Sequence, residues 1–178
     1  MKNQSSVTTI VQAAMIAALY VVLTYLASIL GLASYVVQVR FSEALTILPY
    51  FTPAAIPGLF IGCLLSNILT GCAVPDIIFG SLATLFAAVL TYKLRRFKWM
   101  APIPPIVANA VVVPFVLLYA YGAGPLWLSF ITVTAGEIIS CGVLGMILLS
   151  VLEKYKTKIF ADNFQPQTDA LPIKKNPM

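Results

Sequence analysis

The stretch Gln38–Gly71, QVRFSEALTILPYFTPAAIPGLFIGCLLSNILTG, constrains the fold more than any other part of the chain. It is strongly apolar, yet it carries Arg40 and Glu43 at its start, Pro49, Pro53 and Pro57 in its middle and Asn67 near its end. A plain membrane anchor needs none of these. Ionisable groups in hydrocarbon are expensive and face a cavity or a partner. Proline-broken backbone at membrane depth is tolerated where it packs in protein or lines a cavity. The stretch therefore reads as the wall of a binding site. It is too long for one span and is expected as two short helices, about 43–52 and 57–70, because interior prolines break a single rod.

The setting is a membrane. Of the 178 residues, 60% are hydrophobic and 10% charged, and the mean hydropathy is +0.95. A soluble domain carries about 25% charged residues. The net charge of +5 is concentrated. Lys93, Arg95, Arg96 and Lys98 form one cluster, and Lys154, Lys156 and Lys158 another. Both stand at the ends of apolar runs, the pattern of cytoplasmic anchoring rather than nucleic-acid binding. The chain has no histidine, so histidine catalysis and histidine-ligated metals are excluded. Cys63, Cys72 and Cys141 match no metal or redox spacing. There is no G-x-x-x-x-G-K-[ST] loop, so this chain supplies no ATP site of that type. No catalytic constellation is present, and neither a metal nor a cofactor is expected.

Six helices follow from the apolar runs. The first, Ile10–Leu30, contains the small-residue pairs Ala13/Ala17 and Ala14/Ala18, a flat strip that suits either packing within the subunit or docking of a partner helix. After the two short helices comes Ile77–Tyr92, opened by Asp76, whose simplest role is to cap the helix start. Trp99 follows the basic loop as an interfacial anchor. The last two helices are Ile106–Tyr121 and Leu126–Leu152. Two crossings between 41 and 71 place Lys2 on the same side as the basic loop, so both termini are expected to be cytoplasmic. The transmembrane domain covers residues 1–158. The polar, proline-containing segment 159–178 is expected to be a disordered tail.

The polar candidates are Arg40, Glu43, Asn67, Asp76, Asn109, Trp127 and Glu137. Arg40 and Glu43, three residues apart, could simply pair with each other. Asn67 and Asn109 could serve helix–helix hydrogen bonding. Glu137, ten residues past Trp127, lies about 15 Å along its helix. A lone carboxylate at that depth must be protonated, paired across helices or ready for a ligand. It shares a face with Thr134 and Cys141. Asn109, which starts near the cytoplasmic side, is expected to be deeper or separate.

The segments VRFSEALTILP (39–49), FTPAAIPGLFIGCLLSN (51–67), DIIFGSLATL (76–85), APIPPIVANA (101–110) and GEIISCGVLG (136–145) resemble the QueT-type transporters. The resemblance covers about residues 7–155. It implies a six-helix substrate-binding (S) component of an energy-coupling-factor importer for queuosine precursors. Such a component works with a coupling transmembrane subunit and two ATPase subunits, and docks through the small-residue strip of its first helix, here Ala13, Ala14, Ala17 and Ala18. A queuosine precursor is a 7-deazaguanine. Carboxylates suit its ring N–H and amino group, amides its other polar groups, and an aromatic face its ring. Glu137 and Glu43 are the expected acids. Arg40, Asn67, Asn109, Trp127 and Tyr121 are the supporting residues. The competing readings are an S component for another vitamin or flat heterocycle, a structural membrane protein, and a membrane enzyme.

Overall fold

The computed structural model describes residues 2–32 and 39–159. The expected tail lies outside the described residues except for Ile159, which ends the last helix. Helix α1 spans Lys2–Ile29, and a 3-10 helix spans Phe41–Tyr50. Helix α2 is Ala55–Leu69, α3 is Val74–Lys93, and a short turn of 3-10 helix at Lys98–Met100 leads into α4, Ile103–Tyr121. Helix α5, Leu126–Glu137, runs through a π-helical segment, Ile138–Leu144, into α6, Gly145–Ile159. No strand occurs among the described residues.

The break expected in the proline-rich stretch is present, but its first half is not an α-helix. Its backbone closes i to i+3 bonds, as from the Glu43 N–H to the Arg40 carbonyl (3.1 Å) and from the Phe51 N–H to the Leu48 carbonyl (2.9 Å). Ten residues is long for this geometry. Ser42 through Pro49 are all buried, because the segment runs through the centre of the molecule. It touches α1, α2, α3, the π-helical segment and α6. Leu45, Ile47, Leu48 and Phe51 form the core with Ile16 and Tyr20 of α1, Leu59 of α2 and Leu149 of α6. Pro57 is accommodated as the third residue of α2, inside the first turn, where N–H groups have no partner in the helix.

Consecutive helices α1 to α5 pack side by side in chain order. The α1–α2 contact is the tightest. A Cβ on Gly58 would lie 2.7 Å from the Ala13 carbonyl oxygen, and one on Gly62 would lie 2.7 Å from the Tyr20 Cβ. The strip Ala13/Ala17 is therefore consumed by packing inside the subunit. Ala14 and Ala18, one position on, are exposed. The α4 terminus is closed by Gly122 in the left-handed region (φ 62°), a conformation glycine adopts without penalty.

Among the described residues, four helices are long and apolar enough to cross a membrane: Ser6–Ile29, Val74–Lys93, Lys98–Tyr121 and Leu126–Lys156, with hydropathies between 1.8 and 2.1. The 3-10 helix and α2 reach only about 20 Å each, against ~30 Å of hydrocarbon. The chain is a multi-pass, all-helical membrane protein. A salt bridge from Lys98 to Glu153 joins the basic loop to α6 and brings the two basic clusters to the same end of the bundle.

Candidate binding site

Side chains from the 3-10 helix segment and from α2, α3, α4 and α5 converge on one cavity inside the bundle. The three-residue repeat of the 3-10 helix places Glu43 and Thr46 on one row, and Arg40, in extended backbone just before the helix, also reaches the cavity. On α3, Asp76, Gly80 and Thr84 recur every four residues along one face. Helix α4 contributes Asn109 and Val113, and α5 contributes Val133 and Glu137. Together with Cys63 of α2, these residues except Thr46 line a cavity of about 20 Å3, room for about one water molecule.

The two glutamates are neighbours. Asn109 Nδ2 donates to Glu137 Oε1 at 2.9 Å and reaches Glu43 Oε2 at 3.4 Å. One amide therefore spends its hydrogens on both carboxylates. The other oxygen of Glu43, Oε1, accepts from the Tyr20 hydroxyl. The other oxygen of Glu137, Oε2, accepts from the Cys141 thiol at 3.1 Å. Cys141 also lies 3.4 Å from the Glu43 carbonyl oxygen and 3.4 Å from the Thr46 hydroxyl. Glu43 is 2% exposed and Glu137 8%, so each bond replaces one that water would otherwise make.

Arg40 faces the same cavity but makes no ion pair with Glu43. Among the described residues, the salt bridge is Lys98–Glu153. Arg40 is instead anchored through its backbone, with its N–H donating to the Ser140 hydroxyl at 3.2 Å. Asp76 is not a capping side chain. Helix α3 begins at Val74, and its N-cap position is Ala73. The Asp76 carboxylate faces the cavity and accepts from the Tyr121 hydroxyl at 3.4 Å, while that hydroxyl accepts from the Ala73 N–H at 2.8 Å. The cavity thus holds three carboxylates and one guanidinium.

Other candidates lie elsewhere. Asn109, expected to be deeper or separate, lines the cavity, because α4 starts at Ile103 and the helix has risen about 9 Å by that residue. Asn67 sits behind the cavity wall, with Nδ2 reaching the Asp76 carbonyl at 3.4 Å. Tyr121 is 48% exposed at the cavity's edge, and Trp127, 65% exposed at the start of α5, does not line it. The Thr134 hydroxyl turns back to its own helix, at 2.6 Å from the Phe130 carbonyl.

Tyr20 was missing from the expected set. Its signal is its place on the inner α1 face with Ala13, Ile16 and Ala17, one turn before Thr24, whose hydroxyl donates to the Ser42 hydroxyl at 2.8 Å. Cation binding would fall to Glu43, Glu137 and Cys141, whose ligand atoms lie within 4.8 Å of one another. Those atoms are already hydrogen-bonded to protein partners.

The site is a buried polar cavity with an excess of carboxylates inside a multi-pass helical bundle. The family model described as QueT transporter matches residues 10–154, and the chain belongs to that family. A queuosine precursor transporter QueT from Lactococcus lactis subsp. cremoris (strain MG1363) is 38% identical over 90 residues, 50% of this chain and 53% of the relative. The match thus spans about half the length of each protein. No solved structure matches.

Proposed function

We infer that the protein is the substrate-binding component of an energy-coupling-factor importer and takes up a queuosine precursor. In this reading six helices cross the bilayer, with both termini and both basic clusters cytoplasmic, in keeping with the positive-inside pattern. The cavity opens toward the outside. ATP is hydrolysed by two partner subunits, and a coupling transmembrane subunit docks on the exposed Ala14/Ala18 strip of α1.

The observation that carries the substrate reading is the glutamate pair bridged by Asn109 and faced by Arg40 and Asp76. A 7-deazaguanine presents a ring N–H and an exocyclic amine to one carboxylate, as bases do to Asp and Glu. Its carbonyl oxygen takes hydrogen bonds from Arg40 or the Asn109 amide. An aminomethyl substituent is cationic and suits the excess of acids. Glu137 and Glu43 are the principal ligands in this assignment. Tyr121 and Asn67 support Asp76, and Trp127 stands at the rim. Loading a bicyclic ring into a cavity of about 20 Å3 requires these side chains to part. Another flat heterocycle with the same donor edge is the second reading, since the donor set alone does not distinguish such ligands.

The first test is mass spectrometry of small molecules released from freshly purified protein, followed by calorimetric titration with 7-aminomethyl-7-deazaguanine. Saturable binding that Glu137→Gln weakens about tenfold or more supports the reading. Binding of a different heterocycle in the same cavity replaces the substrate and keeps the site. Full affinity in Glu137→Gln removes that residue from the site.

A further inference from the structure

The outside of the bundle carries a second feature, away from the polar cavity and independent of the transported solute. Helices α3 and α4 pack against each other but leave a furrow on their outward side. Its larger part, about 560 Å3, is lined only by apolar residues, among them Phe86, Leu90 and Leu94 of α3 and Ile103, Val107 and Val111 of α4. A second part, about 330 Å3, shares Phe79 and Val111 with the first and continues to Tyr119 and Pro75. The furrow therefore follows the helix pair for most of its length. Its floor is low at Ala83 and Ala108, and Phe79 and Phe86 stand exposed along it.

One end of this furrow, at Leu94 and Ile103, meets the basic loop. Lys93, Arg95 and Arg96 are exposed there. Lys98 is bonded to Glu153, whereas Lys93, Arg95 and Arg96 have no carboxylate at ion-pairing distance among the described residues. The Arg95 guanidinium lies over the Tyr92 ring at 4.4 Å, which holds the charge against the end of α3. Phe97 and Trp99, 62% and 77% exposed, mark this loop as interfacial. An acyl-chain-shaped apolar furrow thus ends at headgroup depth in three uncompensated positive charges.

We propose that the α3/α4 furrow is a binding site for an anionic glycerophospholipid. One acyl chain lies along the furrow between Phe86 and Val107, and the phosphate contacts Arg95, Arg96 and Lys93. Neutral or zwitterionic lipid fills the furrow equally well but lacks the net charge that the loop selects. A partner helix, 10–12 Å across, would supply apolar surface without the anion.

The test is native mass spectrometry of the full chain in detergent with equimolar phosphatidylglycerol and phosphatidylcholine of the same acyl length. A discrete phosphatidylglycerol adduct is expected, retained over phosphatidylcholine by about tenfold. Arg95→Gln with Arg96→Gln should bring the two lipids to parity while adducts persist. These exposed side chains make no ion pair, so the fold should tolerate the change. Ala108→Leu, or separately Val111→Trp, should lower retention of both lipids by obstructing the furrow. Lys154→Gln, in the other basic cluster, should leave the preference intact. Equal retention by the unaltered protein overturns the proposal. So does a preference that survives loss of both arginines, or one that Lys154→Gln abolishes equally. Unchanged retention in both furrow variants, or displacement of the lipid by glycerol phosphate alone, removes the acyl chain from the site and also overturns it.

Discussion

The hydroxyl of Tyr20, on α1, donates to Oε1 of Glu43, 23 positions later on the central 3-10 helix. Both side chains are buried, Tyr20 at 1% and Glu43 at 2% exposure. The helix that presents Ala14 and Ala18 outward therefore presents Tyr20 inward to a cavity carboxylate. Tyr20→Phe removes the donor without changing shape and leaves a buried carboxylate oxygen short of one bond. The expected loss is about 1–3 kcal/mol, seen as a fall in thermal midpoint and about tenfold weaker ligand binding by calorimetry. An unchanged midpoint and affinity would show that the bond contributes neither stability nor site geometry.

Asn109 holds two carboxylates apart with a single amide. Asn109→Leu keeps the volume close and withdraws both hydrogens. Two buried acids then face each other without the amide between them, each left with one donor, Tyr20 on Glu43 and Cys141 on Glu137, at a cost of several kcal/mol. Reduced yield of folded protein and loss of ligand binding are expected. Asn109→Gln is the milder comparison, and recovery of the folded yield there would separate loss of the donor from loss of packing.

Gly62 and Gly58 set the approach of α1 to α2. A methyl group at Gly62 would meet the Tyr20 Cβ at 2.7 Å, far inside contact distance. Gly62→Ala must push the helices apart and is expected to cost about 1–3 kcal/mol. Because Tyr20 is the residue displaced, binding should weaken together with thermal stability. A thermal midpoint equal to that of the unaltered protein would mean that α1 can shift freely over α2.

The exposed strip predicts the opposite pattern. Ala14→Leu with Ala18→Leu adds bulk to an exposed face of α1, so thermal midpoint and ligand affinity should stay unchanged. Uptake in cells that supply the coupling and ATPase subunits should fall to background. Full uptake in this variant would move the docking surface away from the strip.

Trp127→Ala checks which polar residues converge. The indole is 65% exposed and outside the cavity lining, so affinity should remain within about twofold. A larger loss would place the ligand at the rim rather than between Glu43 and Glu137.

The sequence alone determined the apolar spans and the break in the proline-rich stretch, and it singled out Glu43, Glu137 and Arg40 as charges set in apolar surroundings. Hydropathy and proline chemistry are local, so runs such as Ile10–Leu30 and the interruption at Pro53 need no partner to be read. A carboxylate in such a run is conspicuous because hydrocarbon penalises it wherever the neighbours lie. Convergence was decided only by the tertiary structure. Ala13/Ala17 and Ala14/Ala18 have the same composition and spacing, and one position of rotation puts the first pair against Gly58 and Gly62 while the second stays exposed. Trp127 and Asn109, both expected as supporting residues, part company for a related reason: Asn109 lines the cavity and Trp127 does not. Each is set by the rotation and height of its helix against the others, and those follow from packing between segments distant in the chain. The 3-10 geometry of Phe41–Tyr50 belongs to the same class, since its rows match neighbours from α1, α3 and α6. Local sequence states what is costly in a membrane, whereas the packed helices determine which costly groups meet.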